Sequence, residues 1–411
     1  MRCTPLAALL ATLLAASACA PEIRARGPAT TVPRIEALGA LPPLPWRLRV
    51  TTAMGPAPPQ PRPAGPDPAE VLVMADGARL PLRAWRPPEG VATRFVLLAL
   101  HGLGDHGGNF LADSGPVLAE GGAIAYAYDQ RGFGWGPHRG VWAGNEALSD
   151  DARVAARLLR ARHPGLPLYV MGESLGGAVA ILVGTPAERA GGGTAAEPPS
   201  VGSPAERPSG GTAAERPSGG TAAEQGGVGP TAQPPGARAA PEPPDVAGYL
   251  ILAPALWGRA LMPAVVRGAL AAAAHTVPRI AVSAGAGGIA ASDNRAALER
   301  FGADPLTLTE VRVDLVHGAV GLMDAALEAL PRCCDAPTLF LTGANDQVIP
   351  AAIQRRAFRR AAVRRLALYE DGWHLLLRDR IRARVAADVL AFMAEPGRPL
   401  AAEAAGAAWL R

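Results

Sequence analysis

The residues of this chain best suited to nucleophilic chemistry are residues 172–176, GESLG, which match the pattern G-x-S-x-G. An apolar run precedes the pattern and small residues follow it, so Ser174 is expected at a sharp turn between a strand and a helix. Glycines on both sides let the two elements approach closely. The turn projects the Ser174 hydroxyl above the sheet and leaves the backbone N–H of Leu175 free to stabilise an oxyanion.

Two later residues could activate this serine. Asp346 and His374 each follow an apolar run that is typical of a buried strand. Because loops at the carboxyl ends of parallel strands share one edge of a sheet, the three side chains can converge there. His374 would accept the hydroxyl proton of Ser174, and Asp346 would orient the imidazole and stabilise its charged form. Asp371 is closer to His374 in sequence but follows no strand of its own, so we favour Asp346.

A glycine-rich loop, HGLGDHGG at residues 101–108, follows another continuous apolar run. Such a run is typical of a strand buried on both faces of a parallel sheet. The loop would bring backbone N–H groups near a ligand, and Leu103 is the candidate for a second oxyanion donor. Asp129 and Arg131, which follow the next strand, are interpreted as residues that brace a loop.

Composition restricts the partners that this chain could have. The 411 residues carry a formal net charge of +4, and every basic residue is arginine. The arginines are spread along the sequence without forming a stripe, so we expect no nucleic-acid partner. The seven histidines and four cysteines show no metal-ligand spacing, so no metal and no cofactor is expected. The adjacent Cys333 and Cys334 are expected as two thiols, with a disulfide between them as the alternative.

The N-terminus indicates export. Arg2 and the apolar run that follows it fit a secretory signal over residues 1–18. Cys19 comes after Ala-Ser-Ala and resembles the cysteine of a bacterial lipobox, so we expect lipidation at Cys19 and anchoring to a membrane surface. Ala-x-Ala ending at Ala18 also suits ordinary cleavage, which would leave the protein periplasmic or secreted.

The rest of the chain divides by composition. The sequence AERPSGGTA occurs twice in succession from residue 205 and has almost nothing to bury, which indicates disorder. Proline-rich sequence before residue 70 favours extended chain. The expected parts are a tether at 19–69, an α/β domain at 70–184 and 246–395 with a helical cap at about 256–330, a disordered insertion at 185–245 and a C-terminal tail at 396–411.

These motifs together resemble the monoacylglycerol lipase and lysophospholipase branch of the α/β-hydrolases, which are serine aminopeptidase S33-like hydrolases. The matching segments are ADGARLPLRAW, HGLGDHGGNF, YDQRGFGWG, GESLGG, GANDQVIP and DGWH, and the order serine, aspartate, histidine also agrees. The resemblance implies an α/β-hydrolase fold, with a mostly parallel central sheet flanked by helices and a helical cap. It implies Ser174 as nucleophile, Asp346 and His374 as its partners, and Leu103 and Leu175 as oxyanion donors.

The resemblance also implies lipid esters with a single acyl chain as substrates, namely monoacylglycerols or lysophospholipids. Fold and triad do not select the bond that is cleaved, so a related esterase or a peptidase acting on other small substrates stays open. An alternative of another class is a non-catalytic surface binding protein built on the same fold.

Overall fold

The computed structural model describes residues 27–45, 61–186, 244–283 and 288–411. The expected signal peptide, Cys19 and most of the expected insertion lie outside the described residues. Within these ranges, no helix combines the length and the apolar character needed to cross a membrane.

The described residues contain a central sheet of nine strands and a separate two-stranded ribbon. The strands are β1 (Arg34–Ala37), β2 (Glu70–Val73), β3 (Arg79–Trp85), β4 (Phe95–Leu100), β5 (Ala123–Tyr128), β6 (Leu168–Glu173), β7 (Gly248–Leu252), β8 (Ala281–Ser283), β9 (Glu310–Arg312), β10 (Thr338–Gly343) and β11 (Leu366–Tyr369). The sheet order is β1-β2-β3-β5-β4-β6-β7-β10-β11, while β8 and β9 form the ribbon. In the central sheet, the strands β5, β4, β6, β7, β10 and β11 pair in parallel in that order. The strands β1, β2, β3 and β5 pair antiparallel. The predicted α/β architecture is confirmed.

Helices connect and cover these strands. They are α1 (Gly107–Phe110), α2 (Gly115–Glu120), α3 (Asn145–Arg162), α4 (Leu175–Gly184), α5 (Ala264–Thr276), α6 (Arg295–Ala303), α7 (Val313–Ala329), α8 (Ala351–Arg360), α9 (Arg382–Ala394) and α10 (Ala401–Leu410). Two short 3-10 turns follow β7 and α7.

The central strands are apolar throughout because both faces of the sheet are covered. In β4, Val96 and Leu98 belong to the same apolar cluster as residues of α3, α4 and α7, whereas Leu97 and Ala99 belong to a second cluster with residues of α2 and α9. This alternation follows from the two-residue period of a strand. Burying a leucine contributes about 1.5–3 kcal/mol, so these strands fix the framework from which the loops extend.

The expectation of an unpaired tether over residues 19–69 is wrong for two parts of that range. β1 lies inside that range and pairs with β2, placing Ile35 opposite Leu72. Closer to the domain, the backbone N–H of Ala64 donates to Asp304 at 2.7 Å. A strand of four residues between proline-rich segments has too short a pattern to be distinguished from extended chain by composition.

The expected cap and C-terminal tail also need correction. α7 falls within 256–330, yet it packs on α4 and buries Leu315 and Leu322 in the main core. This leaves α5, α6 and the ribbon as the elements of the expected cap. Residues 396–411 are not a tail, because α10 packs on β11 with Gly406 against the Leu366 carbonyl.

Cys333 and Cys334 are joined by a disulfide, so the expectation of two thiols is wrong. Adjacent cysteines give the same sequence pattern in either state, and the pattern alone does not separate the two.

Candidate active site

Ser174 occupies the turn between β6 and α4 with φ at 55°, in the left-handed region. For a residue other than glycine this backbone costs on the order of 1–3 kcal/mol, so surrounding contacts must hold it. The Ser174 N–H donates to the Leu252 carbonyl at 3.0 Å, and the Ser174 carbonyl accepts from Ala255 at 2.9 Å. A Cβ at Gly172 would lie 2.1 Å from the carbonyl oxygen of Gly176, which explains the first glycine of the pattern. The turn is thus fixed from several sides.

The glycine-rich loop after β4 lies directly against this turn. A Cβ at Gly102 would be 3.4 Å from the Ser174 Cβ and 3.9 Å from its Oγ. Leu103 follows Gly102, and Leu175 is the first residue of α4. Within the described residues, the backbone N–H groups of Leu103 and Leu175 have no hydrogen-bond acceptor. Both groups are therefore available to an oxygen bound near Ser174.

Asp346 and His374 are in direct contact. Asp346 Oδ2 lies 2.8 Å from His374 Nδ1, and both residues are buried. The second carboxylate oxygen, Oδ1, accepts the N–H groups of Val348 at 2.9 Å and Ile349 at 3.0 Å. Because the carboxylate accepts a hydrogen bond from the N–H at Nδ1, Nε2 is the nitrogen of the imidazole that can take up a proton.

The alternative acid, Asp371, points elsewhere. It forms an exposed ion pair with Arg384 at 2.6 Å. The structure therefore brings His374 together with Asp346 and not with Asp371.

Within the described residues, Ser174 Oγ makes no hydrogen bond to His374. The two loops are nevertheless neighbours, since Glu173 acts electrostatically on the His374 imidazole. Hydrogen bonds between a nucleophile and its base are often long in free enzymes and shorten once substrate is bound.

The electrostatic surroundings favour a charged imidazole. Burial alone would lower the pKa of His374, but the Asp346 carboxylate, its hydrogen bond and the charge of Glu173 outweigh burial, so the pKa is raised. An imidazole with a raised pKa is the stronger base toward a hydroxyl, although it is neutral over a narrower pH range.

Gln354 is a site residue that the sequence reasoning missed. Its Nε2 donates to Asp346 Oδ2 at 2.7 Å and to the Ile349 carbonyl at 3.1 Å, while its Oε1 accepts from Thr342 at 2.6 Å. Gln354 lies in α8 and is fully buried. A signal was present in the sequence, because Gln354 shares a helix face with the apolar Ala357 and Phe358, three and four positions later.

A buried charged cluster was missed as well. The Arg378 guanidinium contacts Glu173 and lies 2.6 Å from Asp105, and all three side chains are buried. Burial raises the pKa of Glu173 even though Arg378 opposes the shift. Glu173 precedes Ser174 and Arg378 follows His374 by four positions, so the cluster ties the serine turn, the histidine loop and the glycine-rich loop together. An arginine within the apolar segment HLLLRD is the signal in the sequence.

Residues between 291 and 304 hold two loops in place, the glycine-rich loop and the loop that carries His374. His106 Nε2 lies 3.0 Å from Asp304 Oδ2, which joins the glycine-rich loop to the end of α6. The Ala291 carbonyl accepts the N–H of His374 at 3.1 Å. Asp379 accepts from Ser292 at 2.5 Å and from the N–H of Trp373 at 2.7 Å. Burial raises the pKa of Asp379 to about 6.

Asp129 and Arg131 brace loops, as the sequence indicated. Asp129 lies 2.6 Å from Arg83, and Arg131 pairs with Asp76 and Asp151. These ion pairs are all buried and hold the loop after β5 against the first hairpin.

Comparison with known proteins agrees with the fold. A family described as serine aminopeptidase, S33, matches residues 92–210 and 236–381. Monoglyceride lipase from Homo sapiens is 32% identical over 121 residues, which is 29% of this chain and 38% of that protein. The match to the Mus musculus protein covers 36% of its length, so the chain aligns with well under half of these curated relatives.

Two solved structures share the architecture. A soluble variant of monoglyceride lipase from Saccharomyces cerevisiae, in complex with a substrate analog, superposes with a TM-score of 0.56 at 17% identity over 86% of this chain and 99% of that chain. Monoacylglycerol lipase from Paleococcus ferrophilus gives 0.53 at 18% identity over 77% and 99%. At these identities the likeness shows the α/β-hydrolase fold alone.

Proposed function

The chain belongs to the serine aminopeptidase S33 family of hydrolases, and from this premise we propose that it cleaves carboxylic esters through a covalent acyl-enzyme. The observation that carries the proposal is the buried hydrogen bond of 2.8 Å between Asp346 and His374. It lies beside the strained Ser174 turn, and the order of the three residues along the chain is that of α/β-hydrolases.

In the acylation step, His374 Nε2 takes the proton of Ser174 Oγ while Oγ bonds to the ester carbonyl carbon. The carbonyl oxygen becomes an oxyanion, which accepts hydrogen bonds from the N–H groups of Leu103 and Leu175. The imidazolium is stabilised by Asp346. As the intermediate collapses, the C–O bond to the alcohol breaks and the alcohol oxygen receives the proton from His374.

Deacylation repeats the sequence with water. His374 takes one proton from water, the hydroxyl adds to the acyl carbon, and the same two N–H groups hold the oxyanion. The bond to Ser174 Oγ then breaks, and the serine recovers its proton from His374, leaving a free fatty acid.

The substrates we propose are monoacylglycerols or lysophospholipids. The family resemblance and the similarity to monoglyceride lipase from Homo sapiens support this choice. The expected cap at about 256–330 adds a physical argument, because Val265, Ile280 and Ile289 in that range are exposed apolar side chains. Exposed apolar side chains of this kind suit contact with an acyl chain.

A fluorophosphonate probe tests the chemistry, because it labels an activated serine whatever the substrate. We expect labelling of the wild type and loss of labelling and hydrolysis in Ser174→Ala, by about 10⁶ in turnover. Unlabelled wild-type protein would favour the non-catalytic scaffold. Comparing long-chain monoacylglycerols, lysophospholipids, short-chain esters and amides separates a lipase from a small-ester esterase or a peptidase.

We further propose that the protein is exported and anchored to a membrane by lipid on Cys19. The basis is the signal-like sequence and the cysteine after Ala-Ser-Ala. Intact mass of the mature protein tests this: a diacylglyceryl group on an N-terminal Cys19 is the expected result. An unmodified N-terminus would indicate a periplasmic or secreted protein.

A further inference from the structure

One side of α8 is an arginine face, which we define as Arg355, Arg356, Arg359 and Arg360. At about 100° per residue these four positions fall on one side of the helix. The opposite side buries Gln354, Ala357 and Phe358. Arginine is spread along the sequence as a whole, but folding gathers these four side chains on one surface.

Carboxylates compensate little of the charge on the arginine face, although Glu328 lines a cleft together with Arg360. α8 contains no acidic residue, and none of its four arginines forms an ion pair within the described part of the chain. Two carboxylates of neighbouring elements are already engaged, since Glu403 pairs with Arg365 and Asp371 pairs with Arg384. The face is therefore a concentrated positive surface.

Helix stability does not account for all four charges. Arg359 and Arg360 lie in the last turn, where a cation interacts favourably with the helix dipole. Arg355 and Arg356 lie in the middle of α8 and gain nothing from that effect. The buried Arg355 Nε also has no hydrogen-bond partner.

An aromatic side chain borders the same surface. An open cleft of about 520 Å³ is lined by Ala352 and three of the arginines together with Trp409 of α10. The Arg355 guanidinium lies 6.0 Å from the centre of the Trp409 ring. Tryptophan favours the interface between lipid and water, where its ring contacts apolar groups and its N–H contacts polar ones.

We propose that the arginine face and Trp409 dock on the surface of a bilayer that carries anionic lipids. Guanidinium groups bind phosphate in a two-pronged geometry, and basic clusters are attracted to anionic leaflets. α8 has ten residues and is about 15 Å long, which suits a few lipid headgroups. Duplex DNA carries one charge per about 1.7 Å and calls for a longer basic path.

Docking at this face would place the bilayer close to the acid of the site. Gln354 projects from the inner side of α8 and donates to Asp346. Only the thickness of one helix, about 10 Å, therefore separates the arginine face from Asp346. The arginine face shares no residue with the expected cap, and the proposal depends neither on lipid at Cys19 nor on ester hydrolysis.

The test is binding to vesicles by the full chain, with Cys19→Ala in every variant so that no acyl anchor contributes. Vesicles of phosphatidylcholine with and without about one third phosphatidylglycerol are sedimented with the protein. We expect binding to the anionic vesicles that weakens as salt is raised. Substituting three exposed arginines of the face should weaken it about 100-fold, from about 1 kcal/mol per basic residue; the variant is Arg356→Gln, Arg359→Gln, Arg360→Gln.

A matched control removes the same charge elsewhere, from three exposed arginines that form no ion pair within the described residues: Arg94→Gln, Arg157→Gln, Arg398→Gln. The control should bind nearly as well as the parent. Equal losses in both variants would overturn the proposal, because net charge alone would then account for binding. Absence of binding to anionic vesicles, or retention by duplex DNA but not by vesicles, would also overturn it.

Folding and catalysis are followed separately. Unchanged thermal melting and unchanged fluorophosphonate labelling in the triple variant are expected, since none of the substituted side chains contacts the site. Because vesicle binding is read without substrate, a failure of docking and a failure of the proposed hydrolysis are distinguishable.

Discussion

The side-chain amide of Gln354 donates a hydrogen bond of 2.7 Å to Oδ2 of Asp346. The same oxygen faces the imidazole of His374 at 2.8 Å. Gln354 therefore fixes the direction in which the carboxylate presents itself, although it does not reach the reacting atoms and is a positioning residue.

Replacing this amide should slow the chemistry. Gln354→Leu keeps most of the volume but removes both donors, so we expect kcat to fall about 10- to 100-fold with KM little changed, because small misplacements of catalytic groups carry costs of this size. Steady-state kinetics measure the split. Thr342→Val, which removes the hydroxyl that donates to Gln354 Oε1, is the control and should act mainly on melting temperature. Equal kinetic losses in the two variants would contradict a specific role for the contact with Asp346.

The acid of the site can be identified by two matched substitutions. Asp346→Asn should lower kcat by about 10⁴, because an amide at this position favours the wrong imidazole tautomer. Asp371→Asn should have little effect, since that carboxylate forms an exposed pair with Arg384. Both variants are compared by hydrolysis rates and by melting temperature. If Asp371→Asn were the more severe change, the assignment of the acid would be wrong.

The pH dependence should report His374. Its imidazole must be neutral to accept a proton, so kcat/KM should rise with pH through a midpoint above the ordinary value of 6.5, because the pKa is raised. Glu173→Gln removes one of the charges that raise this pKa and should move the midpoint to lower pH. A midpoint that stays in place would show that Glu173 does not act on the imidazole.

The contribution of His374 to the free energy of unfolding should fall with pH over the range in which activity rises. Because the pKa of His374 is raised in the folded state, its contribution to the free energy of unfolding is fully present below the unfolded pKa and is lost as pH rises through the folded pKa. The pH range in which the base becomes active is thus the range in which its stabilising charge disappears. Urea unfolding on both sides of the kinetic midpoint measures this, with His374→Gln as the variant that should lack the effect.

The insertion should be dispensable. Thr185 bonds to the Ile181 carbonyl at 2.7 Å and Asp245 bonds to Arg160 at 3.3 Å, so a deletion should spare both. Replacing residues 187–243, which lie outside the described residues, by a Gly/Ser linker should leave activity and melting temperature nearly unchanged, because the repeat offers few apolar side chains. A marked drop in melting temperature would show that the insertion packs on the domain.

The sequence was sufficient for the parts of the fold that bury long apolar runs. β4 and β6 were recognisable because strands covered on both faces admit almost only apolar residues. β1 was not predictable, because its pairing with β2, and not the pattern of its own four residues, makes it a strand. α7 was assigned to the cap because alanine-rich helices look alike whether they cover a pocket or a sheet.

The site was predictable where a motif marks a backbone shape, as at Ser174, and where a residue follows a strand, as at Asp346 and His374. Gln354 and Arg378 were not predicted, since their roles depend on which distant side chains they meet. Gln354 on the apolar face of α8 and Arg378 in the apolar segment HLLLRD were the signals in the sequence, because buried polar residues must find hydrogen-bond partners.

The N-terminal segment attaches to the first hairpin only a few residues after Cys19, and this limits how far a lipid on Cys19 can lie from the domain. The N–H of Thr30 donates to the Ala75 carbonyl at 2.7 Å, and Gly27 already contacts Asp76. From Cys19 to Gly27 the chain can span at most about 29 Å even when fully extended. Lipid on Cys19 would therefore hold the hairpin edge of the enzyme within that distance of its own membrane. A hydrolase on so short a tether would bind substrate from the leaflet that holds its anchor and could not reach an opposing membrane.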